Sequence, residues 1–230
     1  MSELRFDALI FDLDDTLTDT EGQLVTRARM ESIQEMAKNG MSFSIEYAQE
    51  LWRNYLLQPR HGDVFEFIAS HHKPVEEQKK LAQLGREIFY HRDIPSTFHA
   101  FTESGEILSQ LKTKYDLYLV TTGDVETQKR KVQLTHLTSF FNAIFYIDHM
   151  KGEKKNSAFQ QILFRHDGPP ARILTIGNRL DHEIREGKRL GFQTCWVKQG
   201  EHRFQQPLAQ HDRPDFTVDH IREMIRKCQL

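Results

Sequence analysis

The sequence predicts an α/β fold: a doubly wound, mostly parallel sheet interrupted by one all-helical insertion. Three observations carry this expectation. Six short β-branched and aromatic runs are spread along the chain, most are separated by segments with helical spacing, and the alternation fails once, between about residues 21 and 97. Alternating strands and helices imply parallel strands joined by right-handed crossovers, with helices on both faces of the sheet.

The elements follow in order. Ala8 to Phe11 is an apolar strand candidate near the start of the chain. Behind it, Met30, Ile33 and Ala37 make an apolar helical stripe that Gly40 terminates, and Ala48, Leu51, Trp52 and Tyr55 repeat the i, i+3, i+4, i+7 pattern. Val64 and Ile68 suggest a third helix, and Leu81, Leu84 and Ile88 a fourth after the break at Pro74. Four successive helices read as a small bundle inserted after the first strand. Strand patterns resume at Leu117 to Thr121, Ala143 to Ile147, Ile173 to Ile176, Thr194 to Val197 and Phe216 to Val218. Between them, Ile107, Leu108 and Leu111, then Ala158, Phe159, Ile162 and Leu163, carry helical spacing. The expected division is a core of residues 1–20 and 98–230 and a helical insertion of residues 21–97.

Composition narrows the function classes. With 230 residues, 28% charged, 38% hydrophobic and a formal net charge of -2, the chain is ordinary globular material with no basic field for nucleic acid or an anionic membrane. The longest apolar segment, Phe140 to Ile147, contains Asn142 and is far too short to span a bilayer. The N-terminal MSELRFDALIFDLDD puts acids where a signal peptide needs a basic flank, so a cytoplasmic protein is expected. Cys195 and Cys228 are widely separated and read as two reduced thiols. The twelve histidines, among them His71, His72, His149 and His182, show no zinc-protease spacing and read as surface or hydrogen-bonded side chains. A monomer or weak homodimer is expected.

The chemistry concentrates at Ile10-Phe11-Asp12-Leu13-Asp14-Asp15-Thr16-Leu17, an apolar strand ending in three carboxylates. Asp14 or Asp15 could simply cap a helix. Three acids at a strand end, however, crowd like charge where open α/β sheets place ligands, unless a cation sits among them. Asp12 at the tip can bind a hard cation through oxygen and can attack phosphorus to form an aspartyl-phosphate. Asp14, returning toward the same pocket as the chain turns, can protonate a leaving oxygen and later deprotonate water.

At these residues the sequence resembles the haloacid dehalogenase-like superfamily, whose first motif is an apolar strand followed by Asp-x-Asp-x-Thr, matched here by Asp12, Asp14 and Thr16. The resemblance extends over nearly the whole chain and implies a Rossmann-like core with a helical cap that closes over the carboxyl edge of the sheet, excludes water and sets substrate choice. It implies that Asp12 is nucleophile and Mg2+ ligand, and that Asp14 is general acid/base and gives a backbone carbonyl to the metal. Leu117 to Gly123 looks like the second motif, with Thr121 the choice for binding the phosphoryl group and Thr122 and Gly123 beside it; a plain strand-to-helix turn also fits Thr-Thr-Gly. The third motif is a lysine ahead of a helix. Lys151, Lys154 and Lys155 are candidates, and Lys154 is preferred by its distance from Phe159.

The fourth motif departs from the family. Ile173 to Ile184 resembles the apolar strand, Gly-Asp and second acid, but Asn178 stands for the first acid and Glu183 for the second. An amide oxygen can still coordinate magnesium, Glu183 can orient a metal-bound water or pair with Lys154, and Asp181 can add charge between them. The activity expected is magnesium-dependent hydrolysis of a small phosphorylated metabolite. A phosphomutase would share every motif. A dehalogenase would need neither metal nor Asp14, and a silent phosphate-binding module could have arisen through Asn178.

Overall fold

A computed structural model describes residues 5–57, 63–90, 92–148 and 151–230. Among them run strands β1 (Ala8–Phe11), β2 (Asp116–Gly123), β3 (Ala143–Asp148), β4 (Ile173–Gly177), β5 (Gln193–Val197) and β6 (Phe216–Val218). The helices are α1 (Thr26–Lys38), α2 (Ile45–Leu57), α3 (Val64–Ala69), α4 (Gln78–Tyr90), α5 (Ser104–Lys112), α6 (Val125–Thr135), α7 (Lys155–Arg165), α8 (Arg185–Arg189) and α9 (Met224–Cys228). His149 lies outside the described residues.

The six strands form one sheet in the order β3-β2-β1-β4-β5-β6, with every neighbouring pair parallel. Chain order reverses between β1 and β4, and in such sheets ligands bind beyond the carboxyl ends of the strands at that reversal. The doubly wound α/β expectation therefore holds, and each of the six runs is a strand.

Strand β1 can sit at the centre because all four of its residues are apolar and buried. Its side chains alternate between two cores, as a pleated strand requires. Leu9 and Phe11 join Ile107, Leu108 and Leu111 of α5 with Met224 and Cys228 of α9. Ala8 and Ile10 join Ala158, Phe159 and Ile162 of α7. Cys195 of β5 and Cys228 of α9, separated in sequence, meet in this core; their mutual hydrogen bond and their burial push the Cys195 thiol well up, so it stays protonated.

The chain divides into two compact units, one comprising Met1–Thr20 with Ile94–Leu230, the other Glu21–Asp93. The second unit holds α1 to α4 around Ile33, Met36, Leu51, Trp52, Phe65, Ile68 and Leu81. Its helices occur where the apolar spacing puts them, but two faces are rotated. On α1 the buried residues are Ala28, Ser32, Ile33 and Met36, while Met30 is exposed and Ala37 half-buried. On α4 they are Leu81, Ala82 and Gly85, with Leu84 and Ile88 half-buried. The reason is close packing at Gly85, where a Cβ would collide with the Phe65 ring and the Met36 sulfur. Small residues let the helices approach there, and they carry no hydrophobic signal in a stripe count.

Among the described residues no helix is long and apolar enough to cross a membrane.

Candidate active site

The site is built from the strand tips at the reversal. The Asp12 N–H donates to the Ile176 carbonyl at 2.9 Å, which holds the ends of β1 and β4 together and brings Asp12 out beside Gly177 and Asn178. The chain then turns tightly. Leu17 N–H bonds the Leu13 carbonyl at 2.9 Å, the Thr18 hydroxyl bonds the same carbonyl at 3.1 Å, and Asp15 takes a left-handed backbone with φ of 53°. For a residue with a Cβ this is an uncommon conformation that surrounding structure must enforce, as happens at functional turns.

Asp12 is 6% exposed and faces Lys155, whose Nζ donates to Asp12 Oδ1 at 2.5 Å and to the Val120 carbonyl at 2.7 Å. The same ammonium lies 2.6 Å from Glu183 Oε1. Three partners match the three donors of an ammonium, so Lys155 is fully engaged. Burial works against its charge, but Asp12 and Glu183 outweigh burial and keep it protonated. Burial pushes the Asp12 carboxyl up to about 7; Lys155 pulls against that shift, and the neighbouring Glu183 and Asp14 add to it. Glu183 also accepts from the Arg179 N–H at 3.0 Å, and Gly177 leaves the room it occupies, since a Cβ there would strike the Glu183 side chain.

The lysine in contact with Asp12 is thus Lys155 and not Lys154, the one preferred from the sequence. Lys154 is exposed and caps α7 with extended backbone, φ −128° and ψ 154°, so its side chain does not share the buried face of the helix. Lys151 is exposed and pairs with Asp148 at 3.2 Å. The signal was present in the sequence: Lys155 precedes the buried Ala158, Phe159 and Ile162 by three, four and seven residues, which is one face of a helix. Glu183 accordingly pairs with Lys155 rather than Lys154.

Asp14 is half-buried and gripped on both oxygens. Oδ1 accepts from the Thr20 hydroxyl at 2.6 Å and from Lys131 Nζ at 2.9 Å; Oδ2 accepts from Gln128 Nε2 at 2.7 Å. Burial would raise its pKa, but the Lys131 charge and these hydrogen bonds hold it below the usual carboxylate value. Gln128 and Lys131 lie three residues apart on α6, whose first turn Asp124 caps through the Thr127 N–H. The sequence marks neither, because a Gln and a Lys in a charged helix look like solvated surface.

The second-motif residues lie at the end of β2. Thr121 is fully buried, and its hydroxyl accepts from Gln128 Nε2 at 2.6 Å. The Thr122 carbonyl accepts from the same amide at 2.9 Å, while the buried Thr122 hydroxyl has no hydrogen-bond partner among the described residues. Gly123 leaves space for Gln128, which a Cβ would strike. Thr16 is fully buried, and its hydroxyl lies 3.5 Å from Asp12 Oδ2.

Asn178 is 3% exposed at the tip of β4, and its carbonyl accepts from the Trp196 indole at 2.9 Å. Asp181 turns aside: it holds Arg179 at 2.9 and 3.2 Å and accepts from Gln205 at 3.1 Å. Burial and the nearby Arg179 depress the pKa of His182 to about 4. This polar knot meets the Asp12–Lys155–Glu183 cluster through the backbone N–H of Arg179, which donates to Glu183.

Among the described residues no three His, Cys, Asp or Glu side chains are grouped to hold a metal. The donor set is instead mixed and all oxygen. Among the described residues Asp12 Oδ2 has only the long Thr16 contact, and burial drives this carboxyl toward protonation, while Asn178 directly follows the end of the adjoining strand β4. Hard oxygen donors of this kind suit a magnesium ion.

Comparison with known proteins is consistent with this geometry. Residues 9–197 match the family described as haloacid dehalogenase-like hydrolase. The glyceraldehyde 3-phosphate phosphatase of Methanopyrus kandleri is 27% identical over 95% of this chain and 95% of its own. The HAD-hydrolase YfnB of Bacillus subtilis, bound to magnesium, superposes with a TM-score of 0.62 at 22% identity, covering 97% of this chain and 98% of YfnB. A predicted phosphoglycolate phosphatase from Haemophilus somnus superposes at 0.68 with 16% identity, covering 97% and 98%.

Proposed function

The chain belongs to the haloacid dehalogenase-like hydrolase family and is a hydrolase of phosphoric monoesters, and from that premise we propose that it cleaves a small phosphorylated metabolite through an aspartyl-phosphate on Asp12, with Mg2+ as cofactor. The observation that carries the mechanism is the Asp12–Lys155–Glu183 cluster with Asp14 two residues on. The 27% identical relative named for glyceraldehyde 3-phosphate supports a small phosphorylated substrate.

Asp12 attacks phosphorus as the ester oxygen takes a proton from Asp14. Water then attacks the same phosphorus, gives its proton to Asp14 and frees Asp12. Lys155 compensates the charge gathered at the nucleophile, and the Thr121 and Thr16 hydroxyls and the N–H groups that follow β2 are donors for phosphoryl oxygens. Asp12, the Asp14 carbonyl and Asn178 would hold the magnesium ion, which supplies charge stabilisation for the transferring phosphoryl group.

Asn178 makes magnesium affinity the sensitive quantity. An amide oxygen in place of a carboxylate removes one charge at contact distance, worth on the order of a few kcal/mol at an effective dielectric of ~20 before desolvation is subtracted. Asn178→Asp is expected to lower the magnesium concentration for half-maximal hydrolysis of nitrophenyl phosphate, and Asn178→Ala to raise it or abolish turnover. Initial rates against magnesium in the three proteins check this. An Asn178→Ala protein indistinguishable from the parent would remove Asn178 from the ligand set, and absence of turnover in the parent would favour a silent phosphate-binding module.

The helical unit is the part of the chain outside the alternating core, and we assign substrate choice to it. Replacing residues 22 to 96 with a short linker is expected to keep hydrolysis of small activated esters and erase discrimination among phosphorylated metabolites. Rates on a phosphometabolite panel decide it: selectivity surviving the replacement would place specificity in the core.

A further inference from the structure

Resting on the reading of Asp14 as the acid/base, we propose that Gln128 and Lys131 are positioning residues that fix which oxygen of Asp14 moves the proton. The argument is a count of lone pairs. Each carboxylate oxygen accepts two hydrogen bonds. Oδ1 already takes two, from Thr20 at 2.6 Å and Lys131 at 2.9 Å. Oδ2 takes one, from Gln128 at 2.7 Å. Among the described residues one acceptor position is left, and it lies on Oδ2.

Gln128 ties that oxygen to the phosphoryl-binding strand. Its single amide nitrogen reaches Asp14 Oδ2, the Thr121 hydroxyl at 2.6 Å and the Thr122 carbonyl at 2.9 Å. Three acceptors converge on two N–H groups, which fixes the amide with its nitrogen toward them; its own oxygen is buried and has no partner among the described residues. Gln128 is 2% exposed, and Gly123 lacks the Cβ that would displace it. The carboxyl of the proton carrier and the hydroxyl at the end of β2 are therefore set by one rigid group, and Lys131 keeps Oδ1 from exchanging places with Oδ2.

The proton balance follows from that assignment. Lys131 and its hydrogen bonds hold Asp14 toward the ionised form; an incoming phosphoryl dianion favours the neutral carboxyl, so Asp14 takes a proton from solvent on Oδ2 as substrate binds. In the first step that Oδ2–H bond breaks, its proton joins the leaving oxygen as the ester P–O bond breaks, and Asp12 bonds phosphorus. In the second, water oxygen bonds phosphorus, its proton passes to Oδ2, and the Asp12–phosphorus linkage opens to release inorganic phosphate. Freeing the Asp14 carboxyl to rotate spreads the proton over both oxygens and costs most where the leaving oxygen needs the proton most.

The test is a series of aryl phosphates, from dinitrophenyl to unsubstituted phenyl, hydrolysed with saturating magnesium by the parent and by Gln128→Met and Lys131→Met, which keep side-chain length and lose the donors. Each variant is expected to lose on the order of tenfold more rate on phenyl phosphate than on the dinitrophenyl ester, a fraction of the 10²–10⁴ that positioned proton transfer contributes. Lys131→Arg, which keeps a donor to Oδ1, should restore most of the phenyl phosphate rate. Losses equal across the series, or no loss, in variants with parental circular dichroism overturn the assignment. So does failure of Lys131→Arg to exceed Lys131→Met. Should Gln128→Met not fold, Lys131→Met and its Arg counterpart decide alone. A parent that hydrolyses no member of the series, or retains activity as Asp12→Asn, instead refutes the aspartyl-phosphate reading and takes this inference with it.

Discussion

Asp12→Asn is expected to abolish turnover while leaving the protein folded. The rate on nitrophenyl phosphate should fall by at least about four orders of magnitude, because under the proposed mechanism the nucleophile itself is removed rather than a group that assists it. Folding should survive for a specific reason. The Asn oxygen can still accept from Lys155, which keeps its contacts to Glu183 and the Val120 carbonyl, so no buried charge is left unpaired. Burial already drives the Asp12 carboxyl toward its neutral form, and an amide is a near-isosteric neutral replacement. Rate assays on freshly prepared protein, with mass spectrometry to rule out deamidation, check the outcome. Persistent turnover in a protein verified as Asn at this position would remove Asp12 from the nucleophile role.

Most of the fold and part of this site could be read from the sequence, and the boundary between the two is physical. The six strands were legible because parallel strands are buried on both faces and therefore appear as unbroken apolar runs, as at Ala8–Phe11. Asp12 and Asp14 were legible because acids at the end of such a run have no packing role. Lys155 was harder. Three lysines within five residues look alike until the phase of α7 is known, and that phase is set by which residue caps the helix. Gln128 and Lys131 were out of reach, since their meaning lies in contacts to a residue more than a hundred positions away. The same limit explains Met30 and Gly85: the hydrophobic stripe marks a helix, whereas the face it buries depends on where small residues let a partner approach.

The second large effect is expected at Lys155, and it should appear in stability as well as activity. Lys155→Met removes the only cation in direct contact with Asp12 among the described residues and leaves two buried carboxylates facing each other. Breaking a buried pair by deleting one partner costs roughly 3–5 kcal/mol, because the remaining charge is left uncompensated. The loss should depend on pH in a definite direction. Without the lysine nothing opposes the burial that already raises the Asp12 carboxyl to about 7, so it rises further, and the folded protein holds a proton that the unfolded chain releases near the ordinary carboxylate value. Where the folded state binds more protons, stability falls as pH rises. Lys155→Met should therefore be close to parental stability in mild acid and progressively less stable through neutrality and above. Turnover should fall more than about a hundredfold, since the phosphoryl group would approach without compensating positive charge. Lys154→Met, which alters an exposed side chain at the helix cap, is expected to change both quantities little. Urea denaturation in chelator at several pH values, with nitrophenyl phosphate rates alongside, tests all of this. A Lys155→Met deficit that is constant with pH, or a larger effect from Lys154→Met, would mean that Lys155 does not compensate Asp12.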